Sequence, residues 1–600
     1  MKINKIKRRI SLDLAGARRY IKQHLGIPNT VLLLSVFTGI FGATVAIIIK
    51  NLLHFTTNAL SSTFPGAQLN YFYLAFPLIG IILTMLFVTR IVKDDLSHGV
   101  SIVLKSMCKS GGKLRRHNMY SSMISSSITV GFGGSVGLEA PIVLTGSAVG
   151  SNLAQFFNLS PKYTRLLLAC GSAAAMSAIF KAPIAGIVFA LEVLMLDLTA
   201  AAILPLLISA ATGTVLSILF LGENVMFDVT ATESFMIKNI PFYIILGILA
   251  GLISVYFMRI LRTVEGWFRK INNRWLKAIT GGSLLGGLIF LFPTFYGEGY
   301  EVISTLLSDG EPHLLFKNSP LYGFLDNQAF FFIFLILIVL LKVFASALTT
   351  ASGGVGGVFA PSLFVGAFLG FFLAKLGNDY LGLDMPVSNL ILAGMSGVMT
   401  GVMHAPLTGI FLIAELSVGY SLLIPLMVTS SLAYITTRHF EKYSIYTKPL
   451  ADKGVLITHN KDKFAMQKID WRRLIDKNIS TISIDASLRE YALLVSQSKR
   501  NIFVVINNEG LFAGLLVMDD HRDKLFQTEL YDTVMVRELM FEPEMFIYDT
   551  DIGEDIIRKF KQTNNFNMPV ITPARQYIGF LSKAKMLTAY KEFIAEESED

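Results

Sequence analysis

The stretch that decides the fold is GGSVGLEAPIVLTGSAVG, residues 133–150, which places the carboxylate of Glu139 among glycines and apolar side chains. A second stretch, GGVGGVFAPSLFVGAFLG at 353–370, repeats it with Phe359 in place of the acid. Seven of the eighteen positions are identical: five glycines, an alanine and a proline. Glycines let the backbone approach a neighbour closely, and proline suits the first turn of a helix. Each copy therefore predicts a helix N-terminus, just after Gly137 and Gly357.

The composition indicates a membrane protein. Of 600 residues, 53% are hydrophobic and only 16% charged, and the mean hydropathy is +0.56. Stretches long enough to cross a bilayer are 31–50, 71–91, 200–222, 240–257, 329–349 and 421–437. Shorter apolar runs interrupted by Gly and Pro predict broken helices, which a membrane tolerates only where protein or water covers the backbone. We expect an all-α polytopic membrane domain over 31–450, and Cys108 and Cys170 are too few for a disulfide framework.

The charges predict the topology. Residues 1–30 hold eight Lys/Arg against one acid and lack the apolar core of a signal peptide, so this basic segment is expected in the cytoplasm. The loop at 105–118 has five basic residues and no acid, and 258–277 has six against one, which predicts the same side. The segment 298–328 reverses the sign, with five acids and one lysine. We expect a multi-pass protein of the cell's inner membrane with both termini cytoplasmic.

The two copies are expected to be inverted, because a basic loop precedes the first and an acidic segment precedes the second. A second pair, KAPIAGIVFALEV at 181–193 and HAPLTGIFLIAEL at 404–416, recurs at an offset of 223 and ends near Glu192 and Glu415. Chance similarity among Gly- and Ala-rich membrane segments is the alternative, and the shared order of two motifs weighs against it. Inverted repeats place their site near the bilayer midplane.

Two helix N-termini aimed at one point would form an anion site without any Lys or Arg. Their unpaired N–H groups and dipoles attract anions, and such fixed dipoles suit an ion that must also leave. Glu139 is itself an anion, so it can occupy the site when ionised and vacate it when protonated, which would make it a gate. The alternative is that Glu139 only caps its own helix. Phe359 would line the path and offer its backbone N–H.

The motifs GLEAP at 137–141 and GVFAP at 357–361 resemble the Gly-x-Glu-x-Pro and Gly-x-Phe-x-Pro motifs of the CLC family of chloride channels and chloride/proton exchangers. The similarity runs from about residue 30 to 450. It implies a homodimer in membrane lipid, with one pore for chloride or related anions in each subunit and two inverted halves of tilted, broken helices.

The resemblance also implies roles for individual residues. Glu139 matches the family's gating glutamate, and the backbone at Val358 and Phe359 matches an anion-coordinating stretch. Tyr443, in EKYSIYTKPL, matches the tyrosine whose hydroxyl helps to coordinate the anion. An ordinary interfacial aromatic anchor is the alternative for Tyr443.

The sequence departs from the family at its first anion-binding motif, Gly-Ser-Gly-Ile-Pro, which falls on SHGVS at 97–101. Gly99 is retained, whereas His98 occupies the serine position. A ring N–H of His98 in contact with the anion would make conduction sensitive to pH. Equally, the ring can point away while the backbone N–H binds.

A second departure concerns protons. Family members that exchange chloride for protons often have a glutamate directly after the position of Glu192, and here that residue is Val193. Valine carries no proton, which favours channel-like conduction; a chloride/proton antiporter is the alternative, and a fluoride-selective relative of the same fold is less favoured. Glu192, as an intramembrane acid, is a candidate for a proton path, although its recurrence as Glu415 favours a structural role.

Residues 451–600 form a separate region, with 20 Lys/Arg and 24 Asp/Glu, and predict a soluble cytoplasmic α/β domain. The segments 498–518 and 563–583 share a strand, a turn and a second strand at an offset of 65, and resemble a tandem CBS pair. In some relatives this module binds adenine nucleotides through a Ser/Thr followed three residues later by Asp. That pattern is broken in both copies. The first has Asp520 but Val517 at the Ser/Thr position, and the second has Ser582 but Lys585 at the Asp position. Asp520 and Ser582 therefore remain as the only candidates. Dimer stabilisation or a contact that affects gating is the alternative role.

The sequence lacks the signatures of other classes of protein. A cation transporter would pair intramembrane acids, but the counterpart of Glu139 is Phe359. No His-Glu-x-x-His or similar cluster suggests a metalloenzyme, since His98 and His404 are isolated. We therefore predict no enzymatic activity, no metal site, no cofactor other than that nucleotide, and no nucleic-acid partner.

Overall fold

A computed structural model describes residues 2–63, 69–96, 99–195, 200–223, 227, 235–308, 316–417, 419–454, 469–563 and 565–599. The chain divides into two compact units, Met1–Leu456 and Ile457–Asp600.

The first unit is helical. Its α-helices, in chain order, are α1 (Lys2–Thr63), α2 (Leu69–Phe87), α3 (Gly99–Lys109), α4 (Ser121–Gly131), α5 (Glu139–Phe156), α6 (Pro161–Phe180), α7 (Pro183–Glu192), α8 (Ala200–Leu221), α9 (Ile240–Arg269), α10 (Arg274–Leu291), α11 (Tyr300–Leu307), α12 (Gln328–Ala351), α13 (Phe359–Leu381), α14 (Val387–Met403), α15 (Pro406–Leu416), α16 (Leu423–Phe440) and α17 (Lys448–Ala451). The first of these is two helices joined at Gly26, whose φ of 69° interrupts the helical backbone.

Within the described residues, eight helices are long and apolar enough to cross a membrane. Five of them contain apolar stretches expected from the sequence, and a sixth, Ala201–Leu221, matches the expected stretch 200–222 to within one residue at each end, which confirms the prediction of a polytopic helical protein. The other two are Pro161–Phe180 and Phe359–Leu381. These two are largely enclosed by other helices: 89% of the apolar window of the first and 78% of that of the second are buried.

The two halves pack in the same way at equivalent glycines. Helix α5 contacts α6 where a Cβ on Gly146 would lie 2.3 Å from the carbonyl oxygen of Gly171. Helix α13 contacts α14 where a Cβ on Gly366 would lie 2.3 Å from the carbonyl oxygen of Gly394. Both distances are too short for any side chain, so each pair of helices approaches at backbone contact distance. The repeat predicted from GLEAP and GVFAP thus extends to the helices that follow each motif.

Glu192 and Glu415 each cap the N-terminus of a helix in the opposite half. The carboxylate of Glu192, at the end of α7, accepts hydrogen bonds from N–H groups at the start of α15, the shorter at 2.8 Å from Thr408. The carboxylate of Glu415, near the end of α15, accepts hydrogen bonds from N–H groups at the start of α7, the shorter at 2.8 Å from Ala185. A carboxylate at a helix N-terminus pairs with free N–H groups and with the dipole. The geometry favours the structural interpretation of both glutamates.

The second unit contains two similar three-stranded sheets, ordered β1-β2-β3 and β4-β5-β6. In each, the first pair of strands is parallel and the second antiparallel. The strands are β1 (Thr481–Ser483), β2 (Ile502–Ile506), β3 (Phe512–Val517), β4 (Ile547–Tyr548), β5 (Asn567–Ile571) and β6 (Tyr577–Ser582), and the helices before β2 and β5 are Leu488–Gln497 and Gly553–Thr563. The same irregularity in strand register occurs after Val505 and after Val570, 65 residues apart, as the offset between the sequence segments predicts.

We expect the substitution Glu415→Ala to lower the thermal unfolding midpoint of the detergent-purified protein. It removes two charge-assisted hydrogen bonds at the start of α7, a loss of about 1–3 kcal/mol. Glu301→Ala is the matched control, because it removes the same charge from an exposed position. Equal midpoints for the two variants would contradict the capping role.

Candidate anion site between facing helix N-termini

The two motif loops pair with each other directly. The N–H of Gly137 donates to the carbonyl of Gly357 at 2.8 Å, and the N–H of Gly357 donates back to the carbonyl of Gly137 at 2.7 Å. A Cβ on Gly137 would lie 2.9 Å from that of Ala360, and a Cβ on Gly357 would lie 2.9 Å from that of Ala140. Glycine is therefore required at both positions for the loops to meet, and the N-termini of α5 and α13 are brought to one place.

Two threonines, one in each half, each bind the motif loop of the opposite half. The N–H of Val355 donates to Oγ1 of Thr129 at 3.1 Å, and the N–H of Ser135 donates to Oγ1 of Thr349 at 3.2 Å. The two donors and the two acceptors are each 220 residues apart, the same offset as the motifs. These threonines were not predicted as site residues, although they stand four residues before each Gly-Gly, where the repeat continues upstream.

Glu139 is the first residue of α5, and its side chain lies between the two N-termini. Only 2% of it is exposed. Its Oε1 accepts a hydrogen bond from the hydroxyl of Tyr300. Its Oε2 is buried without a hydrogen-bond partner among the described residues, and the N–H of Ala360 in α13 attracts the carboxylate. A Cβ on Gly137 would lie 1.9 Å from this oxygen, so the carboxylate folds back over its own loop.

Phe359, the counterpart of Glu139, lies in an aromatic cluster. Its side chain is 1% exposed and stacks on Phe180 with ring centroids 5.5 Å apart. Phe180 in turn packs edge-on against Tyr300 at 6.2 Å. Phe359 of one half and Glu139 of the other are thus linked through Phe180 and Tyr300. Tyr300 was not predicted as a site residue.

A cavity of about 50 Å³ lies beside these N-termini. A few waters or a small ion would fill it. Its lining includes Gly99 of α3, Ala140 of α5, and Gly357 and Val358 before α13. Of the residues predicted to bind the anion, Gly99 and Val358 are therefore at the cavity. The side chain of Phe359 is not in its lining, and His98 lies outside the described residues.

The tyrosine at this cavity differs from the one predicted to bind the anion. The tyrosine that lines the cavity is Tyr446, which is 7% exposed. Tyr443 is not part of the lining; it is half-buried, with the ammonium groups of Lys442 and Lys448 within 6 Å of its ring centroid, at 5.6 and 5.9 Å. The two tyrosines are three residues apart in one short segment, and the turn before α17 decides which of them faces the cavity.

Two charged residues of α9 also line the cavity, Arg262 and Glu265. An Nη of Arg262 lies 2.8 Å from the carboxylate of Glu441, which also binds Arg259 at 2.9 Å. The charge of Arg262 is thus compensated at the cavity's edge. In the sequence, the positive charge of this stretch indicated only topology, and its place at the cavity was not predicted.

In the second unit, Ser582 lines a cleft of about 330 Å³ together with Lys499, Arg500 and Lys585. Asp520 does not line this cleft. Within it, Arg500 donates to Asp476 at 2.7 Å and holds the pKa of that carboxyl below its ordinary range. The cleft therefore carries three basic side chains beside one ionised carboxylate. In the part of the chain that the structure describes, no group of three or more His, Cys, Asp or Glu side chains is placed to hold a metal ion.

Known proteins resemble this chain over the first unit. Residues 80–438 match the family described as voltage gated chloride channel. A putative chloride channel protein, ClcB-like, from Ralstonia nicotianae is 29% identical over 360 residues, covering 59% of this chain and 79% of the relative. An H(+)/Cl(-) exchange transporter, ClcA, from Yersinia pestis is 29% identical over 328 residues, covering 54% of this chain and 66% of the relative.

Solved structures share the fold. A CLC-type fluoride/proton antiporter has a TM-score of 0.57 at 26% identity, over 70% of this chain and 96% of that one. A eukaryotic CLC transporter has a TM-score of 0.60 at 16% identity, over 92% of this chain and 97% of that one. This second likeness shows the fold alone, and its coverage includes much of the second unit.

The two paired motif loops, at Gly137 and Gly357, both lie within the residues that match the family. Because the match covers more than half of the chain, the protein belongs to the voltage gated chloride channel family, the CLC family.

Proposed function

We propose that the protein carries chloride or a related anion across the membrane through the cavity beside Gly99, Val358 and Tyr446, and that Glu139 is its gate. The observation that carries this proposal is the position of the Glu139 carboxylate. It lies between two facing helix N-termini, which is where an anion would be most strongly attracted.

In the proposed mechanism, ionised Glu139 occupies the place of an anion. When it is protonated or displaced, the N–H groups of α5 and α13 become available to a permeating ion. Backbone dipoles bind this ion without a fixed countercharge, so that it can also leave. The hydroxyl of Tyr300 holds the carboxylate in the blocking position, and Tyr446 supplies a hydroxyl on the cavity side.

We propose that conduction is passive. Val193, 5% exposed at the end of α7, has no group that could carry a proton. Both oxygens of the preceding Glu192 are engaged by the start of α15, which leaves that carboxylate in a structural role. Exchange of the anion for protons is the second candidate, favoured by the names of the Yersinia relative and of the fluoride/proton antiporter.

We expect purified protein in liposomes to release chloride without moving protons against their gradient. Chloride efflux and internal pH are recorded together after a chloride gradient is imposed, with protein-free liposomes as the control. Repeating the measurement with fluoride inside compares the two anions. Stoichiometric proton uptake driven by the chloride gradient would establish exchange instead of passive conduction.

We expect Glu139→Gln to keep or raise chloride efflux and to abolish most of its dependence on external pH, because glutamine resembles the protonated, open state. If Glu139 only capped its helix, the substitution would cost about 1 kcal/mol of stability and the pH profile would be unchanged. The measurement is efflux from liposomes between acidic and neutral pH. Phe359→Leu is the control: it should change rate or selectivity and retain the pH dependence.

We also propose that the N- and C-termini are cytoplasmic. In a variant whose Cys108 and Cys170 are replaced, a cysteine at Glu301 should react with an impermeant thiol reagent added to intact cells. A cysteine at Lys113 should not, because the basic loop that contains it is expected inside. Both positions are exposed on the protein. Equal labelling of the two would overturn the inverted topology.

For the second unit we propose a CBS pair that regulates the pore, and a homodimer as the assembly. The strand order of the two sheets and their constant offset support the CBS assignment. The cleft at Ser582 is the proposed adenine-nucleotide site. Its basic side chains suit phosphate, whereas Lys585 stands where the usual pattern has an aspartate.

A further inference from the structure

A second carboxylate contacts the same helix N-terminus as Glu139. Oε1 of Glu298 accepts a hydrogen bond from the N–H of Leu138 at 3.0 Å. Leu138 is the residue immediately before α5, and Glu298 precedes α11, whose first residue is Tyr300. Glu298 and Tyr300 therefore reach the GLEAP loop from one short segment, one binding its backbone and the other the side chain of Glu139.

The inverted repeat shows what this contact does. Leu138 corresponds to Val358, 220 residues later, and Val358 lines the cavity. In one half, then, the residue before the helix faces the space for an anion. In the other half, the N–H of the equivalent residue, Leu138, already donates to the carboxylate of Glu298. The two halves thus differ in what lies beside the residue before the helix: a carboxylate beside Leu138 and the cavity beside Val358.

Several charged and titratable groups surround the two carboxylates. The ammonium group of Lys342, on α12, is buried over the ring of Phe364 at 4.5 Å and lies 3.4 Å from the carbonyl oxygen of Phe295. The groups that interact electrostatically with Glu139 or Glu298, directly or through one neighbour, are Lys50 of α1, Lys181 after α6, Tyr300 of α11, Lys342 of α12 and Tyr446. Glu298 and Glu139 are the two acids of this set.

We propose that Glu298 is a positioning residue for the gate: its carboxylate fixes the loop before α5, and its negative charge is coupled to the ionisation of Glu139. This inference rests on the proposed gating role of Glu139. Two carboxylates at one helix N-terminus disfavour each other's ionisation. Lys50 and Lys342 favour the ionised form of Glu298, and ionised Glu298 keeps Glu139 protonated, and the gate therefore open, to a higher pH than Glu139 would reach alone.

Glu298→Gln keeps an oxygen that can accept from Leu138 but removes the charge. Glu139 then ionises more easily, and the fall of chloride efflux with rising pH should move toward acid by about one pH unit. Glu298→Asp, which retains the charge, should stay close to the wild-type profile. Glu301→Gln is the matched control, because it neutralises an exposed acid three residues away and should cause no shift.

The experiment is chloride efflux from liposomes across acidic and neutral pH for these variants and for Glu139→Gln with and without Glu298→Gln. An acid shift in Glu298→Gln alone, absent from the double variant because Glu139 no longer titrates, supports the proposal. An unshifted profile in Glu298→Gln, while Glu139→Gln removes the pH dependence, overturns it and leaves the gate intact. An unchanged profile in Glu139→Gln overturns the gate, and this inference with it.

If Glu298→Gln cannot be purified as folded protein, Glu298→Asn and Glu298→Asp provide the same comparison of charge with a shorter side chain. A profile displaced toward acid in the asparagine variant relative to the aspartate variant supports the role of the charge. Coincident profiles show that Glu298 serves only the structure of the loop.

Discussion

Two hydrogen bonds between Gly137 and Gly357 fix the geometry on which the site depends. They join the two halves of the chain at the point where each half begins its central helix. Because each glycine lacks a side chain, the helices α5 and α13 start within contact of each other, and the free N–H groups of both converge. The cavity, the buried Glu139 carboxylate and the aromatic cluster around Tyr300 are all arranged about this junction.

The two halves differ at this junction, and the proposed gate depends on the difference. With two identical halves, the N-termini would attract an anion equally at every pH. One half instead carries Glu139, and the segment before α11 adds Glu298 and Tyr300 around it. The other half carries Phe359, which packs on Phe180 and contributes no charge. Of the two equivalent first residues of α5 and α13, only Glu139 is therefore titratable.

The sequence predicted the fold well where the signal was local. Long uniform apolar stretches identified six spanning helices, and the repeated glycines identified the facing N-termini. Helix α6 was missed as a span because its alanines, serines and glycines lower its apolar character, although these small residues are what allow α5 to pack closely on it. The site was harder to predict. Tyr300 and Glu298 come from a segment some 160 residues from Glu139, and the choice between Tyr443 and Tyr446 depends on a turn that no periodicity reveals.

The crossed contacts between the halves have a consequence for biosynthesis. A ribosome delivers Thr129 and Glu192 long before Val355 and Thr408, with which they pair in the finished protein. Until the second half emerges, the first half has a carboxylate and a hydroxyl in or near the bilayer that lack these partners, at an energetic cost that lipid cannot relieve. These polar groups of the first half are therefore paired only after the second half has been made. Any truncated or misoriented product would retain these unmatched polar groups, a chemical mark by which membrane quality control could distinguish it from the complete protein.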